Sequence, residues 1–300
     1  MELRAFAPGI YPRSEALVQA TRDLDRGRTT AQAVEGQAAS DVRDLVSVQK
    51  KAGLALLSDG MLEWQDVFRP LADRSEGLDA RPLTRFLDTN TFYRAVLVEG
   101  EPSLREPIPA PGLPAGRWLR TLPSPLAFSR ATNGAASPEA LAANVLAAQV
   151  EADLEAGCAL VVLYEPFLAS EDVAELAAAI SKLPDGPYAL QLPFLGAAPL
   201  LEPLAELPVD AIGVDFYRTS LDAVPKGYPK EIMAGVVDAR SSALEDPDKL
   251  ARFVQELAER VAGGVSVTPN GDLQFVSEPI ARQKVANLGR VQATMEEAVA

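Results

Sequence analysis

The stretch "ALVVLYEPFLAS", residues 159–170, decides the fold. Apolar and β-favouring residues run without a break into Tyr164, Glu165 and Pro166, too uniformly greasy for a half-solvated strand. Such a run belongs to a parallel strand covered by helices on both faces. A carboxylate at its carboxyl end stands where folds of that kind place their ligands. Similar runs occur at "LRAFAPG", "LALLSDG", "RWLRTLPSP", "YALQLPF", "AIGVDFY", "IMAGVVDAR" and "GVSVTPNG", which makes eight in all.

Helix-like segments lie between them. "SPEALAANVLAAQVEADLEAG" opens on Ser137 as N-cap with Pro138 at the first helical position and closes on Gly157. "TTAQAVEGQAASDVRDLVSVQKKAG", "SEDVAELAAAISKLP" and "DPDKLARFVQELAERVAGG" show the same helical spacing. Strand and helix alternating through eight rounds predicts a (β/α)8 barrel of the TIM type, with residues 1–300 as one domain. An open doubly wound sheet is the alternative, but no Gly-rich phosphate loop follows the first strand. Residues 82–116 break the pattern. They read as a hairpin excursion folding over the barrel mouth, followed by a stiff Pro-rich link.

Composition excludes several chemistries. A formal charge of −14 with a pI near 4.6 repels polyanions, so nucleic acid and anionic membrane are not expected partners. The first residues lack the pattern of a signal peptide, and no apolar run is long enough to span a bilayer, so a cytoplasmic location is expected. There is no His, and Cys158 stands alone. Ser-His-Asp and Cys-His machinery, disulfides within the chain and multi-cysteine metal sites are therefore ruled out. Acid and base chemistry falls to Asp, Glu, Tyr, Lys, Arg or Cys158. The last lies ahead of its strand and reads as a small buried apolar residue.

In a barrel, ligands meet the carboxyl ends of the strands. Those ends carry Arg13, Asp59, Glu63, Asp66, Glu165, Asp215, Arg218, Asp238, Arg240 and Asp272. This mixed-sign rim suits a small anionic or zwitterionic molecule. Salt bridges and helix caps are the plain alternative for each member, and Glu165 in particular reads as the partner of Arg13 or Arg240. As a ligand contact it is a candidate general base, sharing a proton network with Tyr164. Asp238 and Arg240 at one strand end leave a fork for a carboxylate. Trp64 and Met61 offer an apolar wall for a flat ring, although packing under the hairpin explains a Trp equally well.

The motifs "GIYPRSEAL", "VQKKAGLALLSDGMLEWQDVF", "RFLDTNTFYR", "LYEPFL", "VDAIGVDF" and "GVVDAR" together resemble, in order and spacing, those of the cobalamin-independent methionine synthase family. The resemblance spans nearly the whole chain. It implies a barrel of the methionine synthase and uroporphyrinogen decarboxylase type, whose catalytic members move a methyl group from a folate to homocysteine on zinc. That metal is held by one His, two Cys and one Glu. Here the family's Pro-Asp-Cys-Gly reads Pro269-Asn270-Gly271-Asp272, Met61 replaces an acidic residue, and Tyr164 replaces the Asp before Glu-Pro.

The expected catalytic residues are therefore Glu165, Tyr164 and Asp215. Arg13, Asp59, Trp64, Asp66, Asn90, Asp238, Arg240 and Asn270 are the expected binding residues, Asn90 on the strength of the resemblance. Zinc is not expected, and a folate-type methyl donor is the cofactor left open. The expected function is a methyl or one-carbon transferase homologue that does not methylate homocysteine in the usual way. The alternatives are a non-catalytic barrel that binds a folate-like ligand, pairs with a separate catalytic barrel or self-associates, and, more weakly, a porphyrinogen decarboxylase.

Overall fold

A computed structural model describes residues 4–64, 66–85 and 92–299. In chain order the elements are β1 (Arg4–Ala5), α1 (Glu15–Asp25), α2 (Ala31–Lys51), α3 (Arg69–Asp73), β2 (Ser75–Arg85), β3 (Phe92–Leu104), β4 (Trp118–Pro123), α4 (Pro125–Ala131) and α5 (Pro138–Leu141). A π-helical turn, Ala142–Leu146, joins α5 to α6 (Ala147–Glu155). Then come β5 (Cys158–Tyr164), α7 (Val173–Ile180), β6 (Tyr188–Gln191), α8 (Leu201–Leu204), β7 (Ala211–Asp215), β8 (Glu231–Val237), α9 (Pro247–Ala258), β9 (Val265–Pro269) and α10 (Glu278–Val299).

Seven parallel strands form one sheet in the order β1-β9-β8-β7-β6-β5-β4. Its two edges are joined by the segment 54–58, the predicted "LALLS" run. Ala55 N–H donates to Ala5 O at 3.0 Å, Leu57 N–H to Arg117 O at 2.9 Å, and Leu119 N–H back to Leu57 O at 3.0 Å. All eight predicted runs are thus staves of one curled parallel sheet, the second a thin one with a single bridge, Leu57 to Trp118.

The opening stretch is greasy because both its faces are buried. Leu160 and Val162 point into the barrel with Phe6, Leu56, Leu119, Ala189, Ala211 and Met233, while Val161 and Leu163 join the larger core under the helices. Each such side chain contributes about 1.5–3 kcal/mol when fully buried.

The helices start where the sequence says. Ser137 accepts from Ala140 N–H, Thr30 from Ala33 N–H, and Asp246 from Asp248 and Lys249 N–H. Gly157 ends the helix predicted from Ser137 with φ +83°, and a Cβ there would lie 2.5 Å from that of Ala115.

The hairpin starts earlier than expected. β2 and β3 pair antiparallel from Ser75 and Leu104, and their described residues lean on α3, α4, α5 and the π turn. The bounds differ because Ser75 and its neighbours carry no strand-like alternation of their own; pairing with β3 supplies it. After the hairpin a Pro-rich strap runs down the barrel wall, pinned by the Gln149 amide to both backbone groups of Ile108 and by Arg120 to Pro109 O. Among the described residues, no helix is long and apolar enough to cross a membrane.

Candidate functional site

Because the strands are parallel, Tyr164, Glu165, Asp215, Asp238 and Asn270 all stand at one mouth. Asp215 ends β7, buried, where its Oδ1 accepts from Tyr217 N–H at 2.8 Å and from Asn270 Nδ2 at 3.2 Å. Asn270 in turn accepts from Ala239 N–H at 2.8 Å, so one amide ties the ends of β7, β8 and β9 together. Burial pushes the Asp215 carboxyl up, against the pull of the Tyr217 and Asn270 hydrogen bonds.

A second buried acid, Asp272, lies past the end of β9. Asp272 accepts from Ile10 N–H at 2.9 Å and from Gln274 Nε2 at 3.1 Å, and its charge acts on the buried Tyr164 hydroxyl. Burial lifts the Asp272 carboxyl to about 6, and burial followed by the Asp272 charge drives the Tyr164 hydroxyl well above its ordinary value. The contact to Ile10 needs Gly9. Its φ is +85°, and a Cβ there would sit 1.9 Å from Asp272 Oδ1.

Glu165 faces another way. Ser124 Oγ donates to its Oε2, Phe167 N–H donates to Oε1 at 2.9 Å, and Arg130 Nη1 lies 3.9 Å from Oε1. The residue is 0% exposed, and burial raises its pKa despite these partners. Its ion-pair partner is Arg130, not Arg13 or Arg240 as the sequence suggested. The reason is strand parity: with Tyr164 inward, Glu165 turns outward to α4, whose N-cap is Ser124. As arranged, Glu165 braces that helix.

The predicted binding residues divide. Asp238 and Arg240 sit on the rim, where Asp238 Oδ1 accepts from Arg240 N–H at 3.0 Å and the Arg240 guanidinium lies 5.2 Å above the Phe194 ring. Arg13 donates to Trp64 O at 2.7 Å, and Asp66 caps Phe68, Arg69 and Arg94 N–H groups at the hairpin base. Asp59 accepts from Met61 N–H at 2.9 Å and lies 3.5 Å from Arg120 Nη1. Asp59 and Trp64 border a 540 Å³ cleft on the barrel flank, between α2 and the Pro-rich strap. Met61 and Trp64 are both buried, with no ring-sized face open to the mouth. Asn90 lies outside the described residues.

A zinc ion of the kind the resemblance implies does not fit this donor set. The chain has no His, and Cys158 is buried at the start of β5 with burial pushing its thiol up to about 11. Gly271 stands where the family has a Cys, and a Cβ there would lie 2.5 Å from the tip of the Phe194 ring. Among the described residues, no group of three or more His, Cys, Asp and Glu side chains is placed to hold a metal.

The residues that sequence reasoning missed are Arg130 and Gln191. Each lies in or after an apolar run without a charge pattern to mark it. Only Ser124 left a signal, as Ser-Pro ahead of a helix.

No family model matches the chain. A 5-methyltetrahydropteroyltriglutamate–homocysteine methyltransferase of Streptomyces avermitilis is 24% identical over 93% of the chain, and one of Streptomyces griseus is likewise 24% identical over 93%. The barrel is a homologue of the cobalamin-independent methionine synthases. This methionine synthase homologue spans about 40% of the length of those curated relatives.

Solved structures agree on the fold. A B12-independent methionine synthase from Shewanella sp. W3-18-1, in complex with selenomethionine, matches with a TM-score of 0.76 at 16% identity, covering 100% of this chain and 99% of that one. A methyltransferase from Methanosarcina mazei matches with a TM-score of 0.59 at 11% identity over 100% of this chain and 95% of that one.

Proposed function

We propose that this methionine synthase homologue binds a zwitterionic amino acid of the methionine type in its acidic mouth, and that it belongs to methyl or one-carbon transfer without the zinc route. The observation that carries this reading is the pair of buried acids at one barrel end, Asp215 held by Asn270 and Asp272 held by Ile10 N–H and Gln274. Buried carboxyls that face a mouth attract an ammonium group. Arg240 on the rim, above the Phe194 ring, suits the ligand's carboxylate. That the Shewanella neighbour was solved with selenomethionine supports the ligand class.

Homocysteine methylation is not expected of this chain. Without a metal to lower a thiol pKa of about 8.5, only a few per cent is thiolate at pH 7. Calorimetry with methionine and homocysteine tests the binding: saturable heat is the expected result, and none with either refutes it. A methyl-folate and homocysteine assay after exhaustive chelation tests the rest, with no methionine expected. A second reading, a non-catalytic barrel that works beside a separate catalytic barrel, is favoured by the length of the curated relatives. Both readings suit a cytoplasmic protein.

A further inference from the structure

Below the mouth the lumen changes character. On β6, Ala189 joins the apolar lumen cluster and Leu190 the outer core, so Gln191 points inward; on β9, Val265 and Val267 face outward, so Ser266 and Thr268 point inward. The three are 1%, 0% and 0% exposed. Yet both polar atoms of the Gln191 side chain and the hydroxyls of Ser266 and Thr268 have no hydrogen-bond partner in the protein. Gln191 reaches sideways across β7, where a Cβ on Gly213 would lie 2.4 Å from its Oε1.

Nearly all buried polar side-chain atoms in native proteins are partnered, so four orphan atoms in one lumen ask for an occupant. Three of them are oxygens that accept: the amide Oε1 and two hydroxyls. The carboxyl in register with them is Asp215, which ends β7 opposite Gly235 of β8, itself opposite Thr268 of β9. A primary ammonium brings three N–H donors and the opposite charge, whereas a carboxylate would meet like charge.

We infer that Gln191, Ser266 and Thr268 form the polar floor of the site and take the ammonium group of the bound molecule. The inference rests on the amino-acid reading above. It differs from that reading in naming the residues that take the ammonium.

Calorimetry with methionine, methionine methyl ester and the deamino analogue 4-(methylthio)butanoate separates the two. Wild type should bind methionine and the ester within a few-fold of each other and the deamino analogue at least about tenfold more weakly. Gln191→Leu should weaken methionine about tenfold and leave the deamino analogue unchanged. Gln191→Glu, which keeps the shape and adds negative charge, should hold or tighten methionine; a tenfold loss there would place the carboxylate on the floor and overturn the inference. Methionine binding unaffected by either variant would overturn the floor while leaving the amino-acid reading intact. No binding of methionine to wild type removes both.

Discussion

Gly9 and Asp272 stand at opposite ends of the sequence and meet at the mouth. Gly9→Ala forces both a left-handed backbone and a Cβ into the Asp272 carboxylate, and should cost about 2–4 kcal/mol in urea unfolding. Asp272 also makes stability depend on pH. Its folded value of about 6 exceeds the ordinary 3.8, so the folded chain keeps a proton that the unfolded chain has released. This contribution is fully present below about pH 4 and is lost as pH rises through about 6, by roughly 3 kcal/mol at most. Asp272→Asn should flatten the unfolding midpoint between pH 4 and 7; an unchanged slope would assign the effect to other acids. Asp272 was legible as a strand-end acid. Its clasp on Gly9 was not, because sequence separation hides which loops a closed barrel brings together.

Elements are held by buried polar pairs as much as by apolar faces. Arg120 on β4 and Asp153 on α6 are 2% and 1% exposed, with three guanidinium-to-carboxylate hydrogen bonds of 2.9–3.1 Å. Asp153→Ala leaves the buried guanidinium with only Asp59 and Pro109 O and should cost about 3–5 kcal/mol, whereas the double replacement Arg120→Met with Asp153→Leu should recover most of it. Ser124→Ala removes both the α4 cap and a hydrogen-bond donor to Glu165, for a loss of about 1–3 kcal/mol by thermal or urea unfolding. The Ser137 cap was readable because the chemistry of a helix start is local. The lumen floor was not: whether Gln191 points in or out depends on strand parity, and "YALQLPF" reads equally well with its amide in solvent.

At the scale of the whole molecule, the apolar runs carried the topology because a strand buried on both faces has no other way to satisfy its surface. One cooperative unfolding transition is expected by calorimetry, and separate transitions would divide the chain. Closure, however, rests on unequal staves. The segment 54–58 is held by the backbone bonds at Ala55, Leu57 and Leu119, while β5 and β6 pair along four registered positions. Amide exchange should therefore be faster at Leu57 and Leu119 than at Val162 under native conditions. A hoop with one thin stave breathes there first. Mild heating should bare Leu56 and Leu119 at that slit and draw in a hydrophobic dye before the remaining staves part.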